Sequence, residues 1–151
     1  MEPALSSANL IDRLLARVNY ERQPCPVREF KLNGLRRLLD RLQQPHLAYP
    51  VIHVAGTKGK GSVSACIGSI LSTAGLKVGV YSSPHLERIN QRIVIDGAEI
   101  SDETLIDVLK RMDPVVCEFD EQAQQSGTRK LTFFEIMTAA ALQAFCDAAM
   151  D

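Results

Sequence analysis

Seven consecutive residues, Gly56-Thr57-Lys58-Gly59-Lys60-Gly61-Ser62, bring together three glycines, two lysines and two hydroxyls. That set suits the holding of a polyphosphate. Glycines let successive backbone N–H groups turn toward an anion with no Cβ in the way. A helix beginning near Ser62 would add its own unpaired N–H groups and the positive end of its dipole at the same point. Lys60 then supplies charge to the outer phosphates, and Ser62 offers a hydroxyl to magnesium. On this reading Gly56 to Ser62 bind ATP and Lys60 acts in catalysis. The plainer alternative is a glycine-rich turn joining two elements, against which stands the mutual repulsion of two lysines set so close. The stretch departs from the common pattern G-x-x-x-x-G-K-[ST], which asks for Gly where Val54 stands and a hydroxyl where Gly61 stands.

The flanking residues say what must position this loop. Before it, Val51-Ile52-His53-Val54-Ala55 is a short apolar run rich in β-branched residues, expected as a strand buried on both faces inside a parallel sheet. After it, Val63, Cys66, Ile67, Ile70, Leu71 and Ala74 form one apolar stripe on a helix, which Gly75 would stop in the left-handed conformation. Lys77 to Tyr81 predicts the next strand, completing a strand–loop–helix–strand unit. Gln91 to Asp96 predicts another, with Asp96-Gly97 as a turn. Ser101 caps a helix whose first turn holds Asp102 and Glu103, and residues 120–130 read as a polar, mobile loop. Thr132-Phe133-Phe134-Glu135 has the spacing of a capping box, opening a helix to about Ala149. Upstream, Leu10, Ile11, Leu14, Leu15 and Val18 repeat at helical spacing, with Ser7 or Asn9 as N-cap. Pro24 and Pro26 make Asn19 to Lys31 a loop, and Leu32, Leu35, Leu38, Leu39 and Leu42 mark a second helix closed before Pro45. The expected fold class is α/β, a P-loop-type parallel sheet flanked by helices.

A length of 151 residues suits one domain, and 46% hydrophobic with 23% charged residues excludes a disordered chain. A net charge of −1 gives no ground for a nucleic-acid or anionic-membrane partner. No apolar run resembles a signal peptide or spans a bilayer, so a cytoplasmic protein is expected. Cys25, Cys66, Cys117 and Cys146 are scattered without a C-x-x-C pair, which argues against zinc and disulfides, and Cys66 and Cys146 are expected as small buried groups. His46 falls in a Pro-flanked turn and His53 inside the first strand, packed or hydrogen-bonded. Only His85 lies in a loop beside the candidate site.

Three stretches resemble the folylpolyglutamate synthase and dihydrofolate synthase family of the Mur ligase superfamily. They are His53 to Ser62, Tyr81-Ser82-Ser83-Pro84-His85-Leu86 continuing through Glu87 to Ile93, and Leu131 to Glu135. The family's usual loop is G-T-[NK]-G-K-G-S, and it commonly has Glu where Gln91 stands. The resemblance implies ATP and Mg2+ as cofactors. It also implies L-glutamate and a folate or dihydropteroate as partners, joined through an acyl phosphate. By position, Thr57 to Ser62 would wrap the phosphates and Ser83 would bind magnesium through its hydroxyl. Leu131, Thr132, Phe133 and Phe134 would line a pterin pocket, with Phe133 against the flat ring. Phe30 and Lys31, with Arg28 and Glu29, fall in the family's substrate loop, although Lys31-Leu32-Asn33-Gly34-Leu35-Arg36 departs from its usual L-G-L-E-R. Residues 1–151 would then be part of an N-terminal ATP-binding domain, since the family's E-V-G-x-G-G magnesium motif does not occur. Such a piece is expected to lack ligase activity by itself and to self-associate through an exposed sheet edge. A Mur-type cell-wall ligase is the rival enzyme, disfavoured by Gly61 after the lysine, and a stand-alone nucleotide-binding module is the rival from outside catalysis.

Overall fold

The computed structural model describes residues 7–21 and 32–151, so expectations for Pro24, Cys25, Pro26, Arg28, Glu29, Phe30 and Lys31 lie outside the described residues. Five α-helices run over Ser7–Leu15 (α1), Asn33–Arg41 (α2), Lys60–Thr73 (α3), Asp102–Ser126 (α4) and Phe133–Asp147 (α5). Three short strands are Gly79–Tyr81 (β1), Ile93–Ile95 (β2) and Ala98–Glu99 (β3). The chain divides into two compact units, Met1–Gln44 with Ile106–Ala140, and Pro45–Leu105 with Ala141–Asp151.

The first unit is helical. Leu10 and Leu14 of α1, Leu38 and Leu39 of α2, and Val108, Met112, Val116, Phe119 and Ala123 of α4 are all buried, the last five at spacings of three or four that put them on one face. Arginines one turn apart tie the shorter helices to α4. Arg13 pairs with Asp113 at 3.2 Å, and Arg17 grips Asp120 with two hydrogen bonds of 3.0 and 2.6 Å while also donating to the Leu131 carbonyl. On α2, Arg41 meets Glu118, and the Arg37 guanidinium lies 4.9 Å over the Phe119 ring. These contacts carry α4 through the stretch expected as a loop: residues 120–126 are helical. Pro114 sits inside α4, where its ring removes the N–H that would reach the Lys110 carbonyl.

The second unit holds the sheet, of order β1-β2-β3, and both pairings are antiparallel. This corrects the parallel arrangement, within a fold that is α/β as expected. Asp96 and Gly97 have φ of 48° and 79°, the two positive values a two-residue turn of the right-handed hairpin type requires. Val51 to Ala55 is not a strand, and Val51 and Ile52 are 59% and 62% exposed. An interior parallel strand needs a ladder partner on each side. Here β1 takes its ladder from β2, and among the described residues no strand pairs with the apolar run.

Helix α3 approaches β1 closely, since a Cβ on Gly68 would lie 2.7 Å from Val80 Cγ2. Of its expected stripe, Ile67 and Leu71 are half-buried, while Val63, Cys66, Ile70 and Ala74 are exposed. Cys66 is therefore not a core group, and Cys146 is only half-buried. His53 is exposed rather than packed. Gly75 ends α3 as expected, with φ of 87° and the Leu76 N–H donating to the Leu71 carbonyl.

A Cβ on Gly79 would come within 2.4 Å of the buried Phe145 ring, so β1 and the C-terminal part of α5 pack as backbone against aromatic. Gly79→Ala is expected to destabilise the chain by about 2 kcal/mol through overpacking. Gly79→Ala with Phe145→Leu should recover part of that loss. Urea unfolding checks both, and an unmoved midpoint for Gly79→Ala would show that the ring yields freely.

Candidate functional site

The glycine loop runs over the exposed surface of the second unit directly into α3, whose first residue is Lys60. Gly59 occupies the N-cap position with φ of 75°, in the left-handed region that residues with a Cβ avoid. No side chain caps this helix end. The Lys60 ammonium folds back over the loop and donates to the Gly56 carbonyl at 2.8 Å. Thr57, Lys58, Gly61 and Ser62 are likewise exposed, so the whole heptad faces outward at a helix N-terminus. Among the described residues this is a helix N-terminus of the kind that suits an anion, with an exposed ammonium folded over it.

Ser83 is exposed and precedes a cis bond to Pro84, in the loop that follows β1. The polar residues after it are structural. Gln91 Oε1 accepts from three successive amides, those of Leu86, Glu87 and Arg88, at 3.1, 3.0 and 3.4 Å. Buried Asn90 donates to the Ile100 carbonyl at 2.9 Å and to Asp102 at 2.8 Å. Arg92, 1% exposed, donates through Nε to His85 Nδ1 at 2.8 Å. His85 is thus half-buried and bonded to an arginine, in the loop where the sequence put it. Among the described residues no group of three or more His, Cys, Asp or Glu is arranged to hold a metal. Ser62 and Ser83 are both exposed, and each hydroxyl is a single oxygen donor of the kind magnesium accepts.

In the first unit the capping box forms as the spacing predicts. Glu135 N–H donates to Thr132 Oγ1 at 3.2 Å, and Thr132 N–H to Glu135 Oε2 at 2.8 Å. Arg129 adds a two-pronged grip on the same carboxylate at 2.7 and 2.9 Å. Burial pushes the Glu135 carboxyl up, but the hydrogen bonds from Arg129 and Thr132 outweigh it and hold it below its usual range. Leu131 and Thr132 are buried, and Phe133 is 1% exposed, packed with its ring inside. Phe134, its neighbour in sequence, is 40% exposed. A cavity of about 830 Å³ opens in this unit, lined in part by Gly34, Arg37, Phe119, Arg129 and Leu131. Arg92, Arg129 and Gln91 were not singled out as functional from the sequence. A buried arginine leaves no periodic signal, and only the capping-box glutamate hinted that a cation was needed nearby.

No family model matches the chain. Solved structures do. The folylpolyglutamate synthase of Thermotoga maritima superposes with a TM-score of 0.81 at 32% identity, over 96% of this chain and 31% of that one. A folylpolyglutamate synthase complex with AMPPCP and folate gives 0.80 at 29% identity, over 97% and 33%. In sequence, the dihydrofolate synthase/folylpolyglutamate synthase of Mycobacterium tuberculosis is 37% identical over 123 residues, which is 80% of this chain and 25% of that protein. The chain belongs to the folylpolyglutamate synthase/dihydrofolate synthase family, and it spans about a quarter of the length of the curated relatives it matches. No helix among the described residues is long and apolar enough to cross a membrane.

Proposed function

We propose that residues 1–151 are the ATP-binding part of a ligase that joins L-glutamate to the carboxylate of a folate or dihydropteroate. A carboxylate is a poor electrophile, and phosphorylation by ATP turns its oxygen into a leaving group that the glutamate amine displaces. The protein's share is positioning and charge stabilisation. Gly56 to Ser62 wrap the phosphates with backbone amides, and Lys60 leaves the Gly56 carbonyl to neutralise the outer phosphate. Magnesium, when bound, would offset the charge of the phosphates. Ser83, and Ser62 at the end of the loop, are the hydroxyls that would hold it.

One observation carries this reading: the exposed heptad sits at the N-terminus of α3, with Gly59 at the N-cap in a left-handed conformation. The relatives' names and the AMPPCP–folate complex among them point the same way. For the pterin, buried Leu131, Thr132 and Phe133 would back the wall from the core, and Phe134, 40% exposed, is the aromatic nearest solvent.

Titration of the chain with AMPPCP in the presence and absence of Mg2+ tests the proposal. Saturable binding that Mg2+ strengthens is the expected result. No saturation up to millimolar nucleotide in either condition would overturn it.

A further inference from the structure

Residues 82–92 form a loop whose ties converge on one side chain and its own backbone. The Arg92 carbonyl accepts from the Ser82 N–H at 2.9 Å, and Arg92 Nε donates to His85 Nδ1 at 2.8 Å. Those two bonds fall immediately before and immediately after Ser83-Pro84. Arg92 therefore brackets the dipeptide from both sides while remaining 1% exposed and out of reach of solvent. The neighbouring residues hold the rest of the loop: Gln91 takes the amides of residues 86–88, and Asn90 and Arg88 both reach Asp102. Burying a guanidinium costs free energy that ordinary loop closure does not call for, because a carbonyl and an apolar side chain could close the same turn. Toward His85, what the Nε adds is direction. An Nε donor with little freedom of movement sets the orientation of the imidazole, and with it the backbone on the far side of Ser83.

We propose that Arg92 is a positioning residue: its Nε, acting through His85, aims the exposed Ser83 hydroxyl at the magnesium of a bound nucleotide, and Arg92 touches neither itself. The proposal rests on the reading of Ser83 as a magnesium ligand. It also assigns the tautomer of His85, because an Nδ1 that accepts from Arg92 leaves the proton on Nε2.

The test measures AMPPCP binding to the chain as a function of Mg2+, and again in EDTA. Ser83→Ala should raise the Mg2+ concentration for half-maximal binding by about tenfold or more, the size expected when a ligand or its orienting partner is lost. Arg92→Lys keeps the charge and loses the Nε geometry, and should reproduce most of that rise while binding in EDTA stays within about twofold. His85→Ala, on a half-exposed loop residue, should do the same, which covers the case in which Arg92→Lys does not fold. His85→Asn, whose Oδ1 stands near the place of Nδ1, should restore the parent value. Imidazole 15N shifts should show the Nε2–H tautomer in the parent chain. If Ser83→Ala raises the Mg2+ requirement and the Arg92 and His85 variants do not, positioning is overturned while the metal reading stands. If Ser83→Ala changes nothing, the metal reading fails and takes the positioning role with it. An Nδ1–H tautomer in the parent also overturns the proposal.

Discussion

Lys60→Ala is expected to weaken binding of a nucleoside triphosphate by about 10- to 100-fold and to leave the chain's stability unchanged. A charge-assisted hydrogen bond to a phosphate is worth about 1.5–3 kcal/mol, and each 1.4 kcal/mol is a factor of ten in affinity. Stability should not suffer, because among the described residues the side-chain bond of Lys60 is an exposed one to the Gly56 carbonyl, and alanine is a good residue for a first helical turn. The diphosphate should lose less affinity than the triphosphate, since the ammonium is assigned to the outer phosphate. Isothermal titration of AMPPCP and ADP against both chains measures this. Equal losses for the two nucleotides would move Lys60 away from the outer phosphate, and no loss for either would remove it from the site.

The largest stability effect is expected at Glu135. Its carboxylate takes two bonds from Arg129, the Thr132 amide and the Thr132 hydroxyl, with only 9% of the side chain exposed. Gly34 leaves room for it, since a Cβ there would lie 2.6 Å from Glu135 Oε1. Glu135→Gln keeps the shape but removes the charge and turns one oxygen into a donor facing Arg129. A cost of about 2–3 kcal/mol at neutral pH follows from the lost ionic hydrogen bonds and the weakened cap. The pH dependence has a definite sign. Because the folded carboxyl is held below its unfolded value of about 4.3, its contribution is complete above that pH and is lost as the pH falls through the lower folded value. Urea midpoints of the parent and Glu135→Gln should therefore differ at pH 7 and converge in acid. A gap that persists unchanged into strong acid would assign the loss to packing rather than to the carboxylate's charge.

Several features were legible in the residues because their causes are local. The Thr132–Glu135 cap, the stop at Gly75, the Asp96-Gly97 turn and the Ser101 cap, whose Oγ accepts from the Thr104 N–H at 3.1 Å, each arise from groups within a few positions of one another. The glycine loop belongs with them, as a pattern of missing side chains at a helix start. Neither Ser7 nor Asn9 is the cap expected for α1: Ser7 is the first helical residue and Asn9 lies inside the helix.

Tertiary structure decided what covers each apolar stretch and which charges meet. Val51 to Val54 has the composition of a buried strand, yet composition does not name a ladder partner, and β1 found its own in residues fourteen or so positions further on. The same holds for Phe133 and Phe134, adjacent in sequence, of which one is enclosed and the other open. It holds too for Arg92, whose burial beside His85 depends on how a whole loop folds back. Backbone conformation at a turn or cap is set by neighbours a few bonds away, so the chain itself declares it. Burial and pairing depend on surfaces brought together from distant positions, and only the folded molecule settles those.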